Sequence, residues 1–596
     1  MNTSGKHIFI NGKIFTSDDS RPYADAMIVQ NGVVTWIGDQ TDIPEEYLPL
    51  SVAESCAAES CAAEPCAAEP CAAEQQVVEQ HVAEQAGRLS EMRQVDGSFA
   101  AEGTQITDLK GRRVIPGFVD AHMHPVMLAD YRKKITIMPP EINSIEELIQ
   151  AVRERRQLQG PGQWIEGWGY DEQGLAEKRS PNRYDLDAGC SDAPVSIVRT
   201  GAHIRCVNSM ALKLAGIDRN TPDPPGGEIE RDEQGEPTGI LKENARNLIA
   251  PLLPKESKEQ QVQNLLELGE HLTAQGITAI CDMGSLDGSD NLPVYEAAAE
   301  KGFRQRAGVY YMWDFFWDDE HFSIPKEKLD RSQPVFVAGL KLIGDGSVSG
   351  RTAWMDKPYF DTEDEYGISV CSDDLIESAI DFCKKNQCQL SMHAMGGRSI
   401  ARVVDRAAKE QPWTPNGIPY VRIEHVTDPS EESIRKAAAQ GISFVTQPIF
   451  LYAEIASYLK NLGREWMQQC YPVKHLLDEG VCLGFSTDAP ATFWADPSDP
   501  FPGLKMAVTR IAADGTDCGF GQAVDIQTAI KLYTRGAALA AGFPGIGMLA
   551  PGYRADFVVL DRDILEIPPE EIDKVKVQET WIGGECVYTR PSVKSQ

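Results

Sequence analysis

Two histidines one residue apart, His122 and His124, close the apolar run from Val114 to Pro125. In a strand, residues i and i+2 share a face, so both imidazoles point the same way. Two neutral imidazoles converging from a rigid element suit a borderline divalent cation such as zinc. A solvated strand end can also read His-x-His, so the rest of the chain has to decide. Four further apolar runs end in a metal-competent side chain: Val335–Leu340 at Lys341, Cys388–Met392 at His393, Tyr420–Glu424 at His425, and Val481–Thr487 at Asp488.

Between these runs lie stretches that are apolar at helical spacing, such as Asp374–Cys383 and Glu431–Ala439. Strand, polar residue, helix, repeated, describes a parallel α/β architecture. In a (β/α)8 barrel the carboxyl ends of all strands meet at one mouth, which makes neighbours of residues far apart in sequence. The expected barrel occupies 117–545, with strands at 118–124, 277–283, 306–311, 336–343, 389–394, 420–426, 442–447 and 481–488. Ala193–Arg199 is then a ninth run and belongs to an insertion at about 130–255. That insertion carries Trp164, Trp168, Tyr170 and Tyr184, and is expected to form a lid or pocket wall over the mouth.

The chain resembles the amidohydrolase superfamily, which carries a His-x-His on its first strand, a lysine on the fourth, histidines on the fifth and sixth, and an aspartate on the eighth. His122, His124, Lys341, His393, His425 and Asp488 match in that order. Within the superfamily the wording is similar to amidohydrolase family 3, the YtcJ-like branch that includes N-substituted formamide deformylase. The phrases that carry the likeness are Val114–Pro125, Gly201-Ala-His203 with Val207–Leu212, Gly226–Arg231, Gly344-Asp-Gly346 with Arg351-Thr-Ala353, and Gly547–Val559.

The resemblance implies a divalent metal centre, zinc by preference, of one or two ions. His122, His124 and Asp488 would hold the more buried ion, and His393 and His425 the more exposed one. An ammonium is a poor ligand beside a dication. By resemblance, Lys341 would be N6-carboxylated and bridge both ions; the alternative is a free cation that binds a substrate carboxylate. Asp488 would carry a proton from water to the leaving nitrogen, and His203 would bind the substrate carbonyl or its oxyanion. The implied activity is hydrolysis of a carbon–nitrogen bond in an amide-like small molecule, N-formyl compounds included. A non-hydrolytic isomerase or hydratase on the same barrel is the alternative, and the complete ligand set argues against a catalytically dead scaffold.

A net charge of −32 disfavours nucleic acid and anionic membranes as partners. The first residues lack the apolar core of a signal peptide, and no run approaches the ~20 apolar residues of a membrane helix. A cytoplasmic location is expected, and a homodimer is compatible with it. Short alternating runs at 8–16, 26–30 and 32–37, split by Asn11-Gly12 and Asn31-Gly32, read as hairpins. The carboxyl end repeats that style in Ala555–Leu560, Val577–Ile582 and Cys586–Tyr588. The resemblance joins 1–48, 105–116 and 546–590 into one small β-sandwich, and neither half has enough strands to close a core alone. Residues 49–104 hold a Cys-Ala-Ala-Glu repeat with Cys56, Cys61, Cys66 and Cys71. Five residues advance a helix by about 500°, so these cysteines would spiral rather than share a face. The segment is expected to be a low-complexity, disordered insertion. The other ten cysteines lack a disulfide framework and read as small buried hydrophobes.

Overall fold

A computed structural model describes residues 5–47, 104–160, 162–172, 174–200, 204–224 and 227–591. His203 and the repeat segment lie outside the described residues, except that Thr104 opens a strand.

Eight parallel strands form one sheet whose order follows the chain: β1 (Phe118–Met123), β2 (Ile277–Asp282), β3 (Arg306–Met312), β4 (Val335–Ile343), β5 (Gln389–Ala394), β6 (Val421–His425), β7 (Ser443–Thr446) and β8 (Cys482–Phe485). These are the expected runs with only their ends moved. The helices between them form for local reasons. Ser372 and Ser430 each accept a hydrogen bond from the backbone three residues on, and acidic residues fill the first turns of Asp373–Asn386 and Glu431–Gln440. Ile376, Ala379, Ile380 and Cys383 on the first helix, and Ile434 and Ala437 on the second, then bury one stripe against the strands.

The outer strands β1 and β8 are not paired as a ladder. They are joined just past their ends, where Asp488 N donates to His122 O at 2.8 Å and His124 N to Ala489 O at 2.8 Å. Buried Asp120 reinforces the seam: its carboxylate accepts from Thr487 Oγ1 at 2.5 Å, and from the Thr487 and His122 amides at 3.2 Å each. The barrel is therefore closed by the residues that flank the metal-competent side chains.

Ala193–Arg199 does fall in a separate element. Val195–Arg199 is a central strand of a six-stranded sheet running from Ile135 to Glu243, with its own apolar cluster around Leu148, Ile165, Tyr170 and Ile197. This unit touches the rim beyond β8: Ala495 N donates to Pro139 O at 2.9 Å. A Cβ on Gly174 would stand 3.1 Å from the Phe493 ring.

Both chain ends build two further sheets. Lys6–Ile10, Ala26–Gln30, Val33–Gly38 and Thr104–Asp108 form a four-stranded one. Lys13–Phe15, Tyr23–Ala24, Arg113–Pro116, Phe557–Leu560, Val577–Ile582 and Glu585–Thr589 form a six-stranded one. Phe9, Val29 and Val34 from the first pack with Ile14, Val114, Phe557 and Trp581 from the second in one cluster. Asn31-Gly32 makes the expected hairpin, with φ of 52° and 77° and Gln30 facing Val33. Asn11-Gly12 does not. Only Asn11 has positive φ there, and the chain steps from one sheet to the other instead of turning back. Of the ten described cysteines, all but Cys482 and Cys586 are buried. Among the described residues no helix is long and apolar enough to cross a membrane.

Candidate metal centre

His122 stands at the end of β1, Lys341 near the end of β4, His393 on β5, His425 at the end of β6 and Asp488 just after β8, so the barrel mouth gathers them. Asp488 lies at the centre. Its Oδ1 is 3.4 Å from His122 Nε2 and 3.6 Å from His124 Nε2, and its Oδ2 is 3.9 Å from His425 Nδ1. The His425 ring is 4.9 Å from that of His122 and 4.3 Å from that of His393. The tightest group is His122, His425 and Asp488, whose ligand atoms all lie within 4.8 Å of one another. His124 and His393 flank it. His425 is as deeply buried as His122, while His124 and His393 are slightly more open. The resemblance pairs His425 with His393; in the fold the His425 ring also lies beside His122 and Asp488.

Each imidazole has one nitrogen occupied by a protein acceptor, and this decides which nitrogen remains free. His122 Nδ1 meets Glu424 Oε2 at 2.7 Å, His124 Nδ1 meets Gly284 O at 3.1 Å, and His425 Nδ1 meets Gln447 Oε1 at 2.8 Å. The Gln447 amide is oriented by donating to Ser486 Oγ at 2.8 Å. Carbonyl and carboxylate oxygens only accept, so these rings carry Nδ1–H and offer Nε2 as a lone pair. His393 is reversed: its Nε2 donates to Gly346 O at 3.0 Å and leaves Nδ1 free.

Burial is the main influence on the protonation of these groups. It holds His124 and His393 down at about 4, and His122 and His425 well below the ordinary imidazole value, so all four rings are neutral near pH 7. Burial also brings Lys341 down to about 8, against the attraction of Glu424 and Asp488. Asp488 is pushed well above the usual carboxylate range by burial, which outweighs the pull of Lys341. Glu424 goes the other way: burial would raise it, but Arg422 and His122 hold it well below.

Among the described residues, three buried atoms here have no hydrogen-bond partner: Lys341 Nζ, His425 Nε2 and Asp488 Oδ1. A buried polar atom left unpaired costs about 1–3 kcal/mol, and all three belong to side chains at the barrel mouth, which favours a ligand there. The backbone is strained at the same place, with positive φ at His425 (75°), Val426 (53°) and Asp488 (57°). A β-branched residue in this region is a rare conformation that packing must enforce. By strict alternation His425 would share the outward face of Val421 and Ile423; the break at its own residue accompanies its entry into the cluster.

Sequence reasoning passed over Asp120, Glu424, Arg422 and Gln447. Arg422 and Glu424 stood in the quoted run Tyr420–Glu424, and two charges at i and i+2 inside a buried strand were the available signal. Where His203 sits relative to the cluster is not described.

A parallel eight-stranded barrel with a His/His/Asp cluster at the carboxyl ends of its strands is the arrangement of a metal-dependent hydrolase, and the chain's relatives bear on that class directly. Residues 105–588 match the amidohydrolase family model. The chain is 30% identical to the putative amidohydrolase YtcJ of Bacillus subtilis over 83% of its own length and 92% of that protein. It is 27% identical to the N-substituted formamide deformylase of Arthrobacter pascens, over 82% of this chain and 91% of that one. An uncharacterized metal-dependent hydrolase from Pyrococcus horikoshii superposes with a TM-score of 0.66 at 25% identity, covering 95% of this chain and 99% of the other. The chain belongs to the amidohydrolase family, YtcJ-like branch, and is a hydrolase of carbon–nitrogen bonds.

Proposed function

We propose that His122, His124, Lys341, His393, His425 and Asp488 hold one or two divalent cations, zinc being the ion best suited to this nitrogen and oxygen set. The reading is carried by the His122, His425 and Asp488 cluster, together with Lys341 Nζ, His425 Nε2 and Asp488 Oδ1, all buried at the same mouth and without a partner among the described residues. A divalent cation there supplies a Lewis acid for a substrate carbonyl and makes hydroxide available near neutral pH. The four histidines enter as neutral donors with their free nitrogens already selected. Lys341, at about 8, keeps a usable fraction of free amine at neutral pH. That amine adds to carbon dioxide and releases one proton, which gives an N6-carboxylate and turns a repelling cation into an anionic ligand. Asp488 takes a proton from the attacking water and passes it to the departing nitrogen.

The proposed substrate is an amide-like small molecule, with N-formyl amines suggested by the deformylase relative. The insertion at about 130–255 serves as a wall over the mouth, which its contacts with the rim at Ala495 and Phe493 support. His203 contributes to carbonyl binding from that insertion. The two end sheets act as one β-sandwich beside the barrel, supported by their common apolar cluster. The protein works in the cytoplasm. The test is metal analysis of the purified protein together with a screen of N-formyl and N-acyl amines, read as free amine released. One or two divalent ions per chain, and amine release that stops on chelation and returns on reloading, are expected. Protein without a divalent ion, inactive on every amide even after metal is supplied, would overturn the reading.

A further inference from the structure

Along β6, Arg422 and Glu424 alternate with Val421 and Ile423, and both charged residues are fully buried. Arg422 reaches across the barrel interior: it donates to Ala121 O of β1 at 2.5 Å, with its Nη1 3.3 Å from Tyr310 OH of β3. It also holds both oxygens of Glu424, from Nε at 2.5 Å and from Nη2 at 3.0 Å. Glu424 in turn accepts from Ser391 Oγ at 2.7 Å and from His122 Nδ1 at 2.7 Å. The other three histidines rest on neutral acceptors, two backbone carbonyls and an amide. Of the four, only His122 is hydrogen-bonded to a carboxylate; Asp345 Oδ1 stands 3.7 Å from His393 Nε2, outside hydrogen-bond reach.

Stability gives no reason for this pair, because burying two charges costs more desolvation than well-packed apolar residues of the same volume would. A carboxylate behind a metal-binding imidazole fixes the ring's tautomer and orientation and makes it a better donor. We propose that Glu424 is the positioning residue for metal capture at His122, and that Arg422, with Ser391, keeps the Glu424 carboxylate aimed. The inference rests on the metal reading above. It adds that the strength of metal binding is set partly from inside the barrel, by residues that touch neither metal nor substrate.

Zinc affinity of the metal-stripped full-length protein, measured by competition with a chelator, tests it. Glu424→Gln cannot accept from both Arg422 and His122 as the carboxylate does, and should bind zinc about 10- to 100-fold more weakly. Because that variant also disturbs Arg422, the double variant Arg422→Met with Glu424→Leu replaces the pair by apolar residues and leaves His122 Nδ1–H without an acceptor. It should show the same loss, with near-ultraviolet circular dichroism unchanged. Asp563→Asn, which breaks a buried ion pair with Arg113 far from the site, should lose stability without losing zinc affinity. If both β6 variants bind zinc within twofold of wild type while His122→Ala does not, the positioning role is wrong and the metal reading stands. If His122→Ala is also unchanged, His122 is not a ligand and the inference falls with that part of the reading.

Discussion

Protons and carbon dioxide compete for the same nitrogen on Lys341, and the buried environment sets where that competition is felt. With Lys341 at about 8, roughly one amine in ten is unprotonated at pH 7. Affinity at pH 7 should therefore lie about tenfold below its plateau, equivalent to about 1.4 kcal/mol, and about a hundredfold below it at pH 6. The histidines add nothing in this window, because His124 and His393 sit at about 4 and burial holds His122 and His425 well below the ordinary imidazole value. The sign follows from which form holds the proton. The metal-free protein carries it below about pH 8, so affinity is complete above that pH and is lost as pH falls. Asp488 is pushed up by the same burial, so any proton it gives up on metal binding acts in the same direction.

A zinc competition titration from pH 5.5 to 9, with and without added bicarbonate, reads this directly. Affinity should rise close to tenfold per pH unit between 6 and 7.5 and level off near 9, and bicarbonate should raise it by trapping the free amine. Lys341→Met should bind more weakly and lose the part of the slope that levels near 8. An ordinary histidine site would level off just above 6.5. A wild-type profile flat from pH 7 to 9, or a Lys341→Met profile with the wild-type slope, would refute the assignment of Lys341 to the metal.

Two further variants separate chemistry from architecture. Asp488→Asn keeps a ligating oxygen and a side chain that tolerates φ of 57° but cannot carry a proton, so it should retain metal while turnover falls 10²- to 10⁴-fold; near wild-type turnover with metal bound would move the proton to another group. Asp563, gripped by Arg113 at 2.7 and 2.8 Å and by Lys13 at 3.0 Å, is held at about 2. Burial works against this depression, and the ion pairs win. Its contribution is present above about pH 4 and is lost as pH falls through about 2. Asp563→Asn should cost about 1–2 kcal/mol at pH 7 by urea unfolding, solvent screening included, and roughly half that at pH 3; equal midpoints at pH 7 would show that the two chain ends do not depend on this pair.

The barrel was legible because its strands are buried on both faces and read as apolar runs, each stopped by a polar residue where the mouth begins. The candidate ligand side chains were legible for the same reason: they are what stops the runs. Closure between β1 and β8 was not, since Asp120 reads as one more acid and its partner Thr487 lies 367 residues away. Asn11-Gly12 misled because the turn chemistry is local, while the choice between turning back and crossing to another sheet is made by tertiary packing. His425 was found by its place at a strand end, but its grouping with His122 depends on a backbone break at positive φ that no side-chain pattern announces.

Depth of burial does two opposed things at this mouth. It strips protons from four histidines, so that their lone pairs are free at neutral pH, and it leaves Lys341, His425 and Asp488 with atoms that nothing among the described residues satisfies. The first effect favours metal capture and the second raises the energy of the metal-free state, so both act on the same equilibrium in the same direction. The rigid parts of the fold bear that cost. The Asp120 seam holds β1 against β8, the Gln447–Ser486 pair holds His425, and the Arg422–Glu424 pair holds His122 from inside the barrel. A site arranged this way cannot collapse to pair its own orphaned atoms without breaking one of those supports, and that is what keeps it open for an ion.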